Sequence, residues 1–329
     1  MSFSKSTEEL DTSVNDTRQH EASRGFRSHW DGGNSVIRHV QSDKVLSQTY
    51  SIRAVTRDST SAQAKALGPN LDVVQADVND RKSIEAALHG ADAVFAMTTP
   101  SIGEDPVEEE FQRAKLIADV CVTSGVDHLI FSTLPSVNKL SDGKYTAVAP
   151  FDAKAKAEEY IRQLPLNSAF LSLATFFENL GNKVFAQSPK QQPNGTWAIR
   201  LPMPAETRSP WIAAKADVGK YVGAMLADRR TVGARALSGA VDMYSWTEIV
   251  GKISKYTGQE VVYEEISVEE FKQEQKVMPD VFADVLGFYK DPGYFGPDTE
   301  RLVAEDSRVT LQPLTTLDEW LAAEARTLL

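Results

Sequence analysis

The sequence predicts an α/β fold: a doubly wound parallel sheet with helices on both faces, followed by a smaller mixed α/β lobe at the C-terminal end. Three observations carry this expectation. Strand and helix signals alternate, with short joints, from Tyr50 to about Ala174. One strand candidate, Ala93 to Met97, is almost wholly apolar, as a strand covered on both faces must be. Beyond about Phe176 the alternation breaks into mixed pieces, which suits a lobe capping the strand ends where such sheets bind ligands.

The elements follow in order. Tyr50 to Thr56 is a β-rich run, and Thr60 to Leu67 reads as a short helix. Leu71 to Gln75 is the next strand, and in the helix from Asp80 to Leu88 the residues Ile84, Ala87 and Leu88 share one face. After the Ala93 strand, a long helix from about Val107 to Ser124 carries Phe111, Ala114, Leu116, Ile117 and Ala118, and Gly125 closes it. His128 to Ser132 is another strand. A helix bearing Ala153, Ala157 and Tyr160 follows, then a strand from Ala169 to Ala174. In the lobe, 197–201 and 261–266 read as extended, while 216–227, 246–256 and most of the remainder read as helical.

Composition narrows the class of protein. Hydrophobic residues make up 42% and charged residues 25%, a globular balance, and no apolar run is long enough to span a bilayer. The start, Met1 to Leu10, has no apolar signal core, and the lone Cys121 cannot form an internal disulfide. A cytoplasmic chain is expected, with nuclear entry left open. The net charge of −11 and the lack of a Lys/Arg run argue against direct nucleic-acid binding, so a regulatory role would run through a protein partner. No metal-ligand spacing occurs.

Five blocks resemble the NmrA-like family of atypical short-chain dehydrogenases: 50–57, 72–80, 150–160, 176–180 and 314–321. The likeness runs from about Asp31 to the C-terminus in the right order and spacing. It implies a Rossmann-type NADP-binding domain over 30–175 and a substrate or partner lobe over 176–329. Position by position, it implies that Arg57 pairs with the 2′-phosphate of NADP, where an acid would instead bind the free ribose hydroxyls. Asp77 and Val78 would flank the adenine, and Thr98, Thr99 and Pro100 would line the middle of the cofactor. Lys154 would stand at the nicotinamide ribose and act as the catalytic residue. Phe176, Phe177, Glu178 and Asn179 would lie against the nicotinamide. Each has a plainer alternative: a solvated arginine, a helix-capping Asp, a surface lysine, core aromatics.

Two departures from the family pattern stand out. Active short-chain dehydrogenases place a Tyr four residues before the Lys, and here that position is Pro150, which has no proton to give. None of His20, His29, His39, His89 and His128 falls in a block that would replace it. The second departure is the phosphate loop. Taking Ser35 as the helix start puts Arg27, Trp30 and Gly33 at the three glycine positions, so only Gly33 survives to hold the pyrophosphate. Residues 1–29 contain no central-strand pattern and are expected to be disordered, leaving the sheet without its usual middle strand. Either this segment has diverged or the functional protein starts differently, and the abrupt change at about Asp31 favours the latter.

These features leave three functions open. The first is an NADP(H)-dependent oxidoreductase acting on a small organic molecule, perhaps within a specialised biosynthetic pathway. The second is a non-catalytic, redox-sensing regulator that binds NADP(H) and contacts a protein. The third is a cofactor-less remnant with a degraded loop. Met203, Trp211, Phe288, Tyr289, Tyr294 and Phe295 are pocket candidates on residue type alone.

Overall fold

A computed structural model describes residues 2–3, 28–228 and 235–329. The expected doubly wound sheet is present. Its strands are β1 (Ser2–Phe3), β2 (Arg53–Thr56), β3 (Asp72–Gln75), β4 (Ala93–Ala96), β5 (His128–Thr133), β6 (Ser168–Leu173) and, much later in the chain, β11 (Leu237–Gly239). Their spatial order is β3-β2-β1-β4-β5-β6-β11, and every pair is parallel. Order reverses between β1 and β4, the crevice where such sheets bind dinucleotides.

Alternation along the strands explains why both faces are covered. In β4, Ala93 and Phe95 join a cluster with Val36, Val40, Val218 and Val222 on one face. Val94 and Ala96 point the other way, into a cluster with Ile84, Ile117, Ala118 and Ala157. Leu129 and Phe131 of β5 and Phe170 of β6 belong to the second cluster, while Ile130, Ala169 and Leu171 belong to the first. A period of two with both sets apolar is what makes these strands look continuously hydrophobic.

The N-terminal expectation needs correction. The centre of the sheet is filled: Ser2 pairs with Ala54 and Phe95, and Phe3 with Val55. Two of the described residues stand in the middle strand. Residues 4–27, with Arg27 of the proposed loop among them, lie outside the described residues. The helix expected to start at Ser35 starts at Ser28 and runs to Ser42.

That helix crosses the helix Ala214–Ala227 at close range. Gly219 donates its backbone N–H to Ser35 Oγ at 2.9 Å. A Cβ at Gly219 would collide with the Ser35 carbonyl oxygen, and one at Gly223 with the His39 ring. Only glycine fits the first position, because backbone cannot step aside.

The smaller lobe holds two three-stranded mixed sheets. One has the order β12-β10-β7 (Asp242–Ser245, Arg208–Ile212, Thr175–Phe176) and the other β13-β9-β8 (Val261–Glu265, Trp197–Leu201, Lys190–Gln191). The helix Trp246–Thr257 opens with a capping box between Ser245 and Glu248, as does Leu317–Glu324 between Thr316 and Glu319. The lobe core is aromatic, with Phe177 stacked on Trp211 and Trp211 edge-on to Trp246. Met203, Trp211 and Phe288 are fully buried in the lobe core, and none of the three lines the cleft.

Candidate functional site

The residues at issue gather along the carboxyl edge of the parallel sheet. Arg57 follows β2, Asp77 and Val78 follow β3, and Thr98 to Pro100 follow β4. Ser132 and Thr133 end β5, while Leu173 to Phe176 lead from β6 into the lobe. The edge divides into an open charged part beyond β2 and β3, and a largely apolar cleft beyond β4, β5 and β6.

In the open part Arg57 is half-buried. Burial lowers its pKa, Asp77 opposes that shift, and the Arg113 guanidinium adds to it. Arg113, on the helix Pro106–Thr123, donates to Ser101 Oγ at 3.5 Å. Two guanidiniums therefore share one neighbourhood, which favours an anion between or beside them. Asp77 is exposed and accepts from the Asn79 backbone N–H and amide, at 2.9 and 3.0 Å. Val78 is buried in the sheet core.

The cleft has a volume of about 170 Å³. The lobe helix Pro279–Lys290 supplies one wall through Val281, Phe282, Val285 and Tyr289. Another wall is the helix Ala149–Ile161, in which Phe151, Lys154, Ala157 and Ile161 share the buried face. Pro150 lies in its first turn, where a missing N–H costs nothing. Lys154 is 4% exposed, so it is not a surface lysine.

Its ammonium is paired with Glu110, which is 1% exposed and also accepts from Thr98 Oγ1 at 2.7 Å. Two charges removed from water at this depth persist because each neutralises the other. Glu110 escapes notice in the sequence because it ends the run Glu108, Glu109, Glu110. The available signal was register: Glu110 stands four, seven and eleven residues before Ala114, Ile117 and Cys121, all on the buried stripe.

The hydroxyl groups of the cleft come from elsewhere than position 150. Thr175 Oγ1 donates to Tyr289 Oη at 3.1 Å, and Tyr294 Oη donates to the Leu173 carbonyl at 2.8 Å. Burial pushes the Tyr289 phenol up to about 12 and that of Tyr294 well above its ordinary value, so both keep their protons near neutrality. Tyr289 and Tyr294 thus line the cleft as the sequence suggested on residue type, along with Ser132 and Thr133.

Of the predicted site residues, Pro100, Lys154, Phe176 and Asn179 line the cleft. Thr98 stands behind it on Glu110, and Thr99 is buried. Phe177 turns into the lobe core. Glu178 accepts from the backbone N–H groups of Ala214 and Lys215, at 3.0 and 2.8 Å, capping the start of the helix Ala214–Ala227. Gly33 is buried inside the helix Ser28–Ser42, more than a turn from its start. An amide at that depth belongs to the helical ladder, not to a phosphate loop.

Comparison with known proteins gives the following. The NmrA-like family model matches residues 31–321. An NmrA-like family domain-containing oxidoreductase, cpsB of Aspergillus campestris, is 30% identical over 253 residues, covering 70% of this chain and 71% of its own. The crystal structure of NmrA, a negative transcriptional regulator, in complex with NAD superposes with a TM-score of 0.75 at 20% identity, covering 89% of this chain and 91% of that one. The same regulator in complex with NADP gives 0.73 at 20% identity, with the same coverage. At that identity the structural likeness shows the fold.

Proposed function

This chain belongs to the NmrA-like family, and we propose that it works as an NADP(H)-dependent oxidoreductase on a small organic molecule. The observation that carries this reading is the largely apolar cleft at the carboxyl edge, lined by Lys154 and by the protonated phenols Tyr289 and Tyr294. A regulator that only senses the cofactor has no need of an apolar chamber at that place. The oxidoreductase relative agrees with it, while the dinucleotide-bound neighbours, a negative transcriptional regulator in two complexes, support cofactor binding on this fold.

The described residues fit the dinucleotide. Arg57, with Arg113 beside it, would hold a 2′-phosphate, which favours NADP over NAD. Asp77 and Val78 would flank the adenine, Thr99 and Pro100 the middle, and Lys154, Phe176 and Asn179 the nicotinamide end. The bound dinucleotide supplies or accepts hydride. Glu110 holds the Lys154 ammonium in place, and Tyr289 Oη, accepting from Thr175, keeps a proton to donate into the cleft. NADPH titration followed by NADPH consumption against a panel of neutral carbonyl, quinone and imine compounds tests the proposal. Tight NADPH binding with no turnover on any of them, in protein whose Lys154→Ala variant behaves identically, would reject it.

One observation favours the sensing regulator instead. Pro150 stands where a phenol would be four residues before Lys154, and the ammonium is engaged by Glu110. On that reading the cleft closes on the cofactor and the readout is a surface seen by a protein partner. A panel inert to NADPH, together with proteolytic protection that differs between NADP and NADPH, would support it.

A further inference from the structure

Among the described residues that line the cleft, Lys154 is the only one with an ionic side chain. The others are uncharged. Phe151, Phe176, Phe282 and Val285 supply ring and methyl surface, and burial keeps the phenols of Tyr289 and Tyr294 protonated near neutrality. On its own, an ammonium in such apolar surroundings would make the cleft an anion site, because little water screens it.

Lys154 is not on its own. Glu110 comes from the neighbouring helix Pro106–Thr123 and does not line the cleft. Its Oε1 takes the Lys154 ammonium and also the Thr98 hydroxyl, the latter at 2.7 Å. Both ions are almost wholly removed from water, so the carboxylate cancels the ammonium at short range. An anionic ligand entering the cleft meets no net positive charge. A cationic one meets Lys154 before it meets Glu110. Either ion loses its hydration without repayment, whereas an uncharged compound gives up little. The pairing that stabilises the fold thus also sets what the cleft admits.

We propose that Glu110 is a specificity-determining residue: by cancelling the Lys154 charge from outside the cleft, it restricts the substrate to uncharged, largely apolar compounds and keeps organic acids out. Glu110 acts through Lys154 and touches no ligand. The inference rests on the cleft being the substrate site of the oxidoreductase reading, and it names the residue that sets the charge of that substrate. Selectivity here comes from what the site refuses as much as from what it holds.

Three probes of one shape that differ in charge test this: 2-naphthamide, 2-naphthoate and 2-naphthamidine, each titrated into the full chain at pH 7 by calorimetry. In the parent, the neutral amide should bind about tenfold tighter than either ion. Glu110→Gln keeps the shape and removes the charge. It should raise naphthoate affinity about tenfold and make naphthoate the tightest of the three. Lys154→Met should move the preference the other way, toward the amidine. Combining Glu110→Gln with Lys154→Met should restore the parent's order, because neither charge then remains. A pair that served the fold alone would leave the order of the probes the same in every folded variant, and that result overturns the inference. Tightest binding of naphthoate by the parent overturns it too, as does a naphthoate gain that survives in the double variant. Where one single variant does not fold, the other, set against the parent and the double variant, decides the matter. NADPH affinity is measured on the same samples. NADPH binding without charge selectivity removes the Glu110 inference alone, whereas selectivity without NADPH binding supports it and removes the oxidoreductase reading.

Discussion

The two ends of the carboxyl edge handle charge in opposite ways. Beyond β2 and β3, Arg57, Arg113 and Asp77 meet solvent, and their mutual effects are screened by water and salt. Beyond β4 and β5, Lys154 and Glu110 are 4% and 1% exposed, and among the described residues their charged ends are partnered by each other and by Thr98. The open end can vary in charge at little cost to the fold. The closed end cannot, because an unpaired ion there is a structural fault before it is a catalytic one. Function at the first is therefore separable from stability, and at the second it is not.

The sharpest way to break this contrast is to remove one partner of the buried pair. Glu110→Ala or Lys154→Met should each cost about 3–5 kcal/mol in denaturant unfolding, and combining Glu110→Gln with Lys154→Met should recover most of it. Additive losses in the double variant would mean that the two charges are stabilised independently. Lys154→Ala should also abolish turnover. At the open end, Arg57→Ala should leave the unfolding midpoint in place and remove about 1–3 kcal/mol of preference for NADPH over NADH. The remaining preference should shrink as salt is raised. Equal affinity of both dinucleotides in the parent protein would undo the assignment of Arg57.

A pH experiment sharpens the same contrast more gently. Tyr289 is raised from 10.0 to about 12 by burial. The folded state therefore holds a proton that the unfolded chain gives up first. Its contribution to stability is complete below pH 10 and is lost as pH rises toward 12. Tyr289→Phe should flatten that alkaline fall and, by removing the bond from Thr175, cost about 0.5–1.5 kcal/mol at neutrality. The smallest effect belongs to an exposed pair. Lys139 and Glu159 are bridged on the surface, and Lys139→Ala should shift stability by less than about 0.5 kcal/mol.

Much of the sheet was legible because its physics is local. Ala93 to Ala96 and Leu129 to Phe131 are apolar on both faces, and the joints between elements are short. The strands β10, β11 and β12 were not seen. The first carries Pro210, the second is Leu237-Ser-Gly239, and neither shows a β pattern of its own. β11 is nevertheless the outer strand of the large sheet, so the chain returns to that sheet after entering the lobe. The segment Phe176 to Asn179 shows the limit of resemblance. Four adjacent residues received one role, but a strand end running into a 3₁₀ turn sends Phe176 and Asn179 to the cleft, Phe177 to the core and Glu178 to a helix start. Pattern alone carries no direction for a side chain leaving a strand.

The tight crossing at Gly219 has a consequence for how the molecule comes to exist. Ser35 and Gly219 are 184 residues apart in sequence. A ribosome adding ~5–20 residues per second separates their synthesis by about 10–40 s. For that interval the helix from Ser28 has only the sheet side of its cluster, Phe95, Ile130 and Leu171, and lacks Val218 and Val222, which come with a long loop closure. The first helix among the described residues thus completes its packing only after the helix Ala214–Ala227 is made. A nascent chain halted before residue 214 should present the uncovered side of this helix to chaperones.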